Sequence, residues 1–215
     1  CRELRALGVD VRRISVIPDD VALIAQEVTG FTREFDVVFT SGGVGPTHDD
    51  VTIDGVARAL GVPVVREPSL VALLKTYYKG ELNEACLKMA EMPEGSELIG
   101  GETPGFPTIL TGNVYILPGV PEIFRRKFEA IRERFRDQPY YLKNVFVRMG
   151  EGTLADYLNA LLHEYPLLLL GSYPELSNPE YRVKVTLESR DREYLARALD
   201  AFLERLPAAT LVKVT

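Results

Sequence analysis

The sequence predicts an α/β protein: an open, mostly parallel sheet covered by helices, then a small α+β domain. Three observations predict it. Residues 36–40 and 114–117 are continuous apolar runs, each followed by a glycine- and proline-bearing turn and an amphipathic helix. That is how parallel strands buried on both faces read. The region after residue 138 runs strand, helix, strand, strand, helix, strand, the order of the split βαβ or ferredoxin-like unit. Hydrophobic residues make up 46% and charged residues 26% of the 215-residue chain, enough to fill cores without disulfides or structural metals.

Taken in order, Leu4 and Leu7 sit at helical spacing and Gly8 suits a stop just past a helix. The opening C-R-E-L-R-A-L-G therefore reads as the end of a helix, and a first strand is expected before it. Residues 9–16 alternate as a strand. Pro18, Asp19 and Asp20 open a helix with Leu23, Ile24 and Val28 inward, and Asp19 fits its N-cap or first turn. After the strand at 36–40 and a loop, Ile53, Val56, Ala57 and Leu60 mark one face of a helix that Gly61 ends. Residues 61–66 read as a short strand, 68–78 and 82–90 as helices, and 98–112 as loop or hairpin. Pro121 suits the first position of a helix carrying Phe124, Phe128, Ile131 and Phe135.

The pattern changes at 137–139, so two domains are expected, 1–138 and 139–215. In the second, residues 143–149, 167–173, 181–189 and 211–214 read as strands, with helices at 152–164 and 191–206.

The chemistry concentrates in T-S-G-G-V-G-P-T-H-D-D-V-T, residues 40–52, between a buried strand and a helix. In open α/β sheets, ligands bind at the carboxyl ends of strands. Gly42, Gly43 and Gly45 let the backbone turn tightly and approach a ligand. Their N–H groups and the following helix N-terminus favour an anion. Thr40, Ser41, Thr47 and Thr52 bring hydroxyls, Pro46 shapes the turn, and His48 has an ionisation suited to phosphate chemistry. Asp49 and Asp50 would repel a phosphate unless a divalent cation bridges them to it. Alternatively, one Asp accepts from ligand N–H or O–H groups. The structural alternative is a capping box, Thr47 with Asp50, at the helix start. A second strand–turn–helix, Pro118-Gly119-Val120-Pro121-Glu122, would share the same sheet edge. The loop 100–106, with Gly105, could cover a ligand, and Lys88 and Arg66 could supply positive charge.

This stretch resembles the signature of the molybdopterin-binding (molybdenum cofactor biosynthesis) domain. Its P-T-x-D-D-x-T variant is similar to the competence/damage-inducible protein A family, and closer still to the molybdopterin-binding-like domain of eukaryotic FAD synthase. V-I-P-D-D, K-M-A, P-E-G, T-P-G-F and L-P-G-V-P-E extend the likeness along the chain, as do L-G-S-Y-P and residues 181–189. The resemblance implies a three-layer molybdopterin-binding fold, with acting aspartates at Asp50 and Asp19. It also implies metal-dependent pyrophosphatase activity toward substrates such as ADP-ribose or FAD, with Asp49 and Asp50 holding Mg, Mn or Co. The alternative is a module that holds molybdopterin or a nucleotide without turnover, or a regulatory domain. The family's G-[DT]-E-[IL]-L-x-G segment does not occur in these 215 residues, and they are expected to carry neither the deamidase nor the FAD-forming activity found in relatives.

The net charge of −6 argues against nucleic acid as a partner and leaves a small anionic molecule. Cys1 and Cys86 make no metal-ligand spacing, which fits a reducing, cytoplasmic setting. No apolar run reaches membrane-spanning length. A homo-oligomer, as a dimer, is expected because the family's members self-associate and residues 181–189 offer a strand edge.

Overall fold

The computed structural model describes residues 1–79, 82–100 and 106–215. Its contacts divide them into two compact units, residues 12–134 and residues 1–11 with 135–215.

In the unit of residues 12–134, α2 (Val21–Glu34), β1 (Val38–Ser41) and α3 (Thr52–Leu60) follow one another, after α1 (Arg2–Ala6) of the other unit. Next come β2 (Val64–Arg66), α4 (Pro68–Tyr77), α5 (Glu84–Lys88), β3 (Glu91–Pro93) and β4 (Glu97–Ile99). β5 (Thr108–Thr111), β6 (Val114–Leu117) and α6 (Pro121–Ile131) complete the unit. The main sheet has the order β1-β6-β5-β4. β1 and β6 are parallel, while β6–β5 and β5–β4 are antiparallel. β2 and β3 form a separate antiparallel pair. The apolar runs of the sequence are the sheet's centre, and every residue of β6 is buried.

Three layers result. On one face Val38, Val114 and Ile116 pack with Ile24 and Val28 of α2 and Val56 of α3. On the other, Phe39 meets Phe128 of α6 at 6.1 Å between ring centres. α2 and α3 approach closely because Gly55 has no side chain: a Cβ there would lie 2.4 Å from Ile24 Cγ2.

The sequence placed a strand at 9–16. The structure has none there among the described residues, and Ile14 and Val16 are 69% and 96% exposed. Alternation alone does not make a strand; it needs a neighbour to share a ladder.

The second unit contains β7 (Tyr141–Val147), α7 (Glu151–Glu164), β8 (Leu169–Pro174), β9 (Val183–Ser189), α8 (Arg192–Arg205) and β10 (Leu211–Val214). Its sheet order is β10-β7-β9-β8, with every pairing antiparallel. β7 and β8 flank β9, which is the split βαβ arrangement. α7 and α8 contribute Leu154, Leu158, Leu161, Leu195, Ala198 and Phe202 to its core. The first residues are fastened here by stacked cations. Arg5 lies 3.6 Å and Arg190 4.6 Å from the centre of the Tyr140 ring. Arg5 also pairs with Glu188 at 2.6 Å, and Arg190 donates to the Gly8 carbonyl at 2.7 Å. The strand expected to offer an edge, residues 181–189, is instead interior, paired on both sides; the edges are β8 and β10.

No helix among the described residues is long and apolar enough to cross a membrane.

Gly55→Ala is expected to lower stability by about 1–3 kcal/mol through overpacking against Ile24, despite alanine's better helix propensity. Urea denaturation followed by circular dichroism measures it; an unchanged midpoint would mean that the two helices do not meet at Gly55.

Candidate functional site

The parallel register sets Ser41 beside Leu117, so β1 and β6 end together. The chain leaving β1 turns through Gly42 and Gly43 with φ of +99° and +64°, conformations that a side chain disfavours. The Gly42 amide donates to the Leu117 carbonyl at 3.1 Å. A Cβ on Gly119 would lie 3.1 Å from Gly42 Cα, so the two turns touch backbone to backbone. Ser41 donates to the Pro118 carbonyl at 3.4 Å. Pro118 and Gly119 thus join the loop, as their strand–turn–helix position predicts.

Thr52 locks this turn from behind. It is buried; its hydroxyl donates to the Gly42 carbonyl at 2.9 Å and its amide to the Gly43 carbonyl at 2.9 Å. That hydroxyl is part of the loop's frame and does not face a ligand.

Asp50 plays an unexpected part. Its carboxylate accepts from the Thr47 amide at 2.8 Å and the Thr47 hydroxyl at 2.6 Å, and from the Gly45 amide. Burial acts to raise its pKa, but these donors and the Lys88 ammonium outweigh it, and the carboxyl ends below its usual range. Lys88 donates to the Thr47 carbonyl at 2.7 Å. Asp50 is therefore the loop's own anion, and Gly42, Gly45 and Thr47 are satisfied internally. The Thr47–Asp50 pair has capping-box contacts but does not cap a helix: α3 starts at Thr52 with Val51 at its N-cap and no side-chain cap. Nor is Asp19 a cap. Asp20 takes that position on α2, accepting from the Ala22 and Leu23 amides at 2.8 and 2.9 Å.

Asp19 is thereby released, and it stands at the loop: a Cβ on Gly43 would lie 3.4 Å from its Oδ1. Among the described residues, the Asp19 carboxylate and the amides of Gly43 and Val44 have no hydrogen-bond partner. The buried Thr40 hydroxyl has none either. His48 and Asp49 point to solvent, with side chains 99% and 63% exposed and 3.9 Å apart. The nearby Thr47 hydroxyl, then the Asp49 amide, lowers the Asp49 pKa. Pro46 is exposed. Arg66 is committed to Glu84 and Glu91 at 3.1 and 3.3 Å. Gly105 lies outside the described residues.

A cleft beside the loop is lined by Val44, Asp50, Ile53, Lys88, Met89 and Ile109, with Asp54 and Glu91 at its wall. Asp54 and Glu91 lie outside every motif read in the sequence. Lys127 was missed too. Burial, reinforced by Arg126, pushes its ammonium down to about 8, and it donates to the Pro107 carbonyl at 2.5 Å. No three His, Cys, Asp or Glu side chains converge on a metal position among the described residues.

Comparison with known proteins now bears on this geometry. Residues 1–137 match the family model of a probable molybdopterin binding domain, and residues 139–215 that of the FAD synthase middle domain. An Archaeoglobus fulgidus protein is 38% identical over 205 residues, covering 95% of this chain and 87% of the relative. A probable FAD synthase of Caenorhabditis elegans is 32% identical over 96% of this chain, which spans 45% of that protein. Among solved structures, the protein CinA of unknown function from Thermoplasma acidophilum superposes with a TM-score of 0.57 at 31% identity. That match covers 63% of this chain and 84% of the other.

Asp50 has a pH signature. Its folded pKa is depressed, so its stabilising effect is present above the unfolded value of 3.8 and is lost as pH falls through the lowered folded value. Asp50→Asn should lower stability at neutral pH, and the gap to the unaltered protein should shrink below pH 3.8. Urea denaturation at neutral and acid pH reads this; a gap that is constant with pH would assign the loss to something other than the charge.

Proposed function

Because the chain belongs to the family of probable molybdopterin binding domains, we propose that it binds a small phosphate-bearing pterin or dinucleotide at the Gly43–Val44 turn. In the finer form of this reading, it hydrolyses the diphosphate of a ligand such as ADP-ribose or FAD. The observation that carries the proposal is the pair of uncommitted amides at Gly43 and Val44, beside the partnerless Asp19, at the ends of two parallel strands. Such amides favour an anion. Asp19 suits the ligand's N–H or O–H groups, and the apolar walls of Val44, Ile53, Met89 and Ile109 suit a planar heterocycle.

The protein groups alone do not make a closed cation seat, since Asp50 is occupied by N–H and O–H donors. On this reading Asp19 or Asp49 would help hold a Mg, Mn or Co ion that arrives with its ligand. Such an ion would neutralise phosphate charge and acidify a bound water. In the reaction, water attacks one phosphorus and the bond to the bridging oxygen breaks. FAD yields AMP and FMN; ADP-ribose yields AMP and ribose phosphate. Lys88, at the end of α5 with its ammonium on the Thr47 carbonyl, is placed to offset negative charge.

A second reading, binding without turnover, is favoured by the internal commitment of Asp50, which accepts from Thr47 rather than facing a ligand. Calorimetry with FAD, ADP-ribose and molybdopterin, alongside AMP release with each cation, separates the two. Binding with AMP supports hydrolysis. Binding without AMP under every cation supports the module, and no binding of any of the three sinks both. Asp19→Asn should keep the fold, because Asp20 caps α2. It should weaken binding by about 1.5–3 kcal/mol, roughly ten- to a hundredfold in Kd.

A further inference from the structure

We propose that the open face of the second unit's sheet binds a nucleoside monophosphate, with the phosphate at Tyr173, Lys184 and Thr186 and the sugar at Asn144. This place shares no residue with the Gly43–Val44 turn. α7 and α8 cover the other face, where Val145, Val147, Val183, Val185 and Leu187 are buried. Side chains alternate along a strand, so Asn144 and Phe146 of β7, Lys184 and Thr186 of β9, and Gly171 and Tyr173 of β8 share the open face. The register sets them in two rows across three strands. Phe146, Lys184 and Tyr173 make one row; Asn144, Thr186 and Gly171 make the next.

The second row holds polar groups that the chain leaves without partners. Thr186 is 7% exposed, and its hydroxyl has no hydrogen bond among the described residues. Asn144 Oδ1 is buried and has no donor, although Nδ2 of the same side chain donates to the Thr215 hydroxyl at 3.2 Å. Buried polar atoms in folded chains are nearly always bonded. Two orphans in register on β7 and β9 call for a bonding partner from outside the chain. Gly171 lets a third group join them. A Cβ there would lie 2.7 Å from Thr186 Oγ1 and 2.8 Å from the Tyr173 hydroxyl and ring. The Tyr173 hydroxyl therefore reaches over Gly171 toward Thr186, without bonding to it. Lys184 Nζ stands 5.7 Å from the Tyr173 ring centre and has no acceptor among the described residues. Nearby acids are engaged elsewhere, Glu188 with Arg5 at 2.6 Å and Glu180 with Lys213 at 4.0 Å.

These groups select the ligand. Two hydroxyls and an ammonium offer several donors and one positive charge, which a phosphate answers with several oxygens and negative charge. Asn144 Oδ1 only accepts, so the part of the ligand beside the phosphate must carry an O–H or N–H, as a ribose does. Phe146 lies diagonal to Thr186, about 7–8 Å away. Tyr181 meets its ring edge-on at 4.8 Å, and Lys213 stands over it at 4.9 Å. A base one sugar beyond the phosphate reaches these rings, and aromatic side chains stack on any base.

Calorimetry of the full chain with AMP and with adenosine measures the binding, and photo-crosslinking with 8-azido-AMP followed by mass spectrometry locates it. AMP is expected to bind well above adenosine, with crosslinks in residues 141–148 or 181–182. Lys184→Gln should weaken AMP roughly ten- to a hundredfold, and Thr186→Val about fivefold. Thr186→Val should also raise the urea midpoint of the ligand-free protein, since it removes a buried hydroxyl that bonds nothing; a hydroxyl with a merely structural role would give a lower midpoint. If Lys184→Gln fails to fold by circular dichroism, Tyr173→Phe takes its place, with about a fivefold loss expected. The proposal is overturned by adenosine binding as tightly as AMP, by equal AMP affinity in the altered and unaltered proteins, or by crosslinks confined to residues 40–54. An absence of AMP binding at millimolar concentration overturns it too.

Discussion

The loop between β1 and α3 depends on one electrostatic fact: a turn built from glycines exposes more N–H donors than nearby carbonyls can accept. Asp50 supplies the missing acceptor from within the chain. By drawing in the Gly45 amide and both donors of Thr47, it closes half of the turn and leaves Gly43 and Val44 open. Gly45 has to lack a side chain for this to work, because a Cβ there would lie 2.6 Å from Asp50 Oδ2. The same carboxylate that a sequence reader assigns to chemistry is, in the folded loop, what gives the remaining donors a fixed direction.

The open half acquires its place from the parallel pair β1–β6. Because Ser41 and Leu117 are in register, two turns leave the sheet at one level, and they touch where Gly119 lacks a side chain, since a Cβ there would lie 3.1 Å from Gly42 Cα. The floor of the site is therefore backbone, and its side chains come from the flanks: Asp19 before α2, Lys88 at the end of α5, and the apolar cleft beside α3. Fastening the turn to the N-terminal residue of α3 through Thr52 links the site to the layer that packs on Val38, Val114 and Ile116. A change in that core reaches the loop through one hydroxyl and one amide.

Much of this was legible in the sequence, and the reasons are specific. Buried strands announce themselves by composition, which is why 36–40 and 114–117 were read within a residue or two of the observed β1 and β6. Helix ends were legible where a stop residue is decisive, as at Gly61 with φ +70°. The β-α-β-β-α-β order survived because each of its elements has a clear period. Residues 9–16 were misread because alternation reports a face and not a partner. Asp19 and Asp20 could not be ranked as caps by type, since both are aspartate and only the backbone turn at Pro18 decides between them. Asp50 was read as open to a ligand or closing a cap because a sequence shows donors and acceptors without showing which of them find each other first.

Unmet backbone donors occur in both sheets, in different surroundings. In the first, an excess of donors is held at a strand end, partly quenched by Asp50 and partly left open, and on that unmet hydrogen bonding the proposed ligand position rests. In the second, the unmet groups run along β8, where nothing quenches them: the side chains are apolar and uncharged, and the outward amides of Leu170 and Ser172 stand between exposed leucines. Folded chains satisfy backbone polar groups with protein, water or ligand. At the first turn the open amides favour an anion while the neighbouring carboxylates oppose it, so the balance there is set by what accompanies the anion; along β8 the outward amides are framed by uncharged side chains. The two sets of open amides differ in the side chains that frame them.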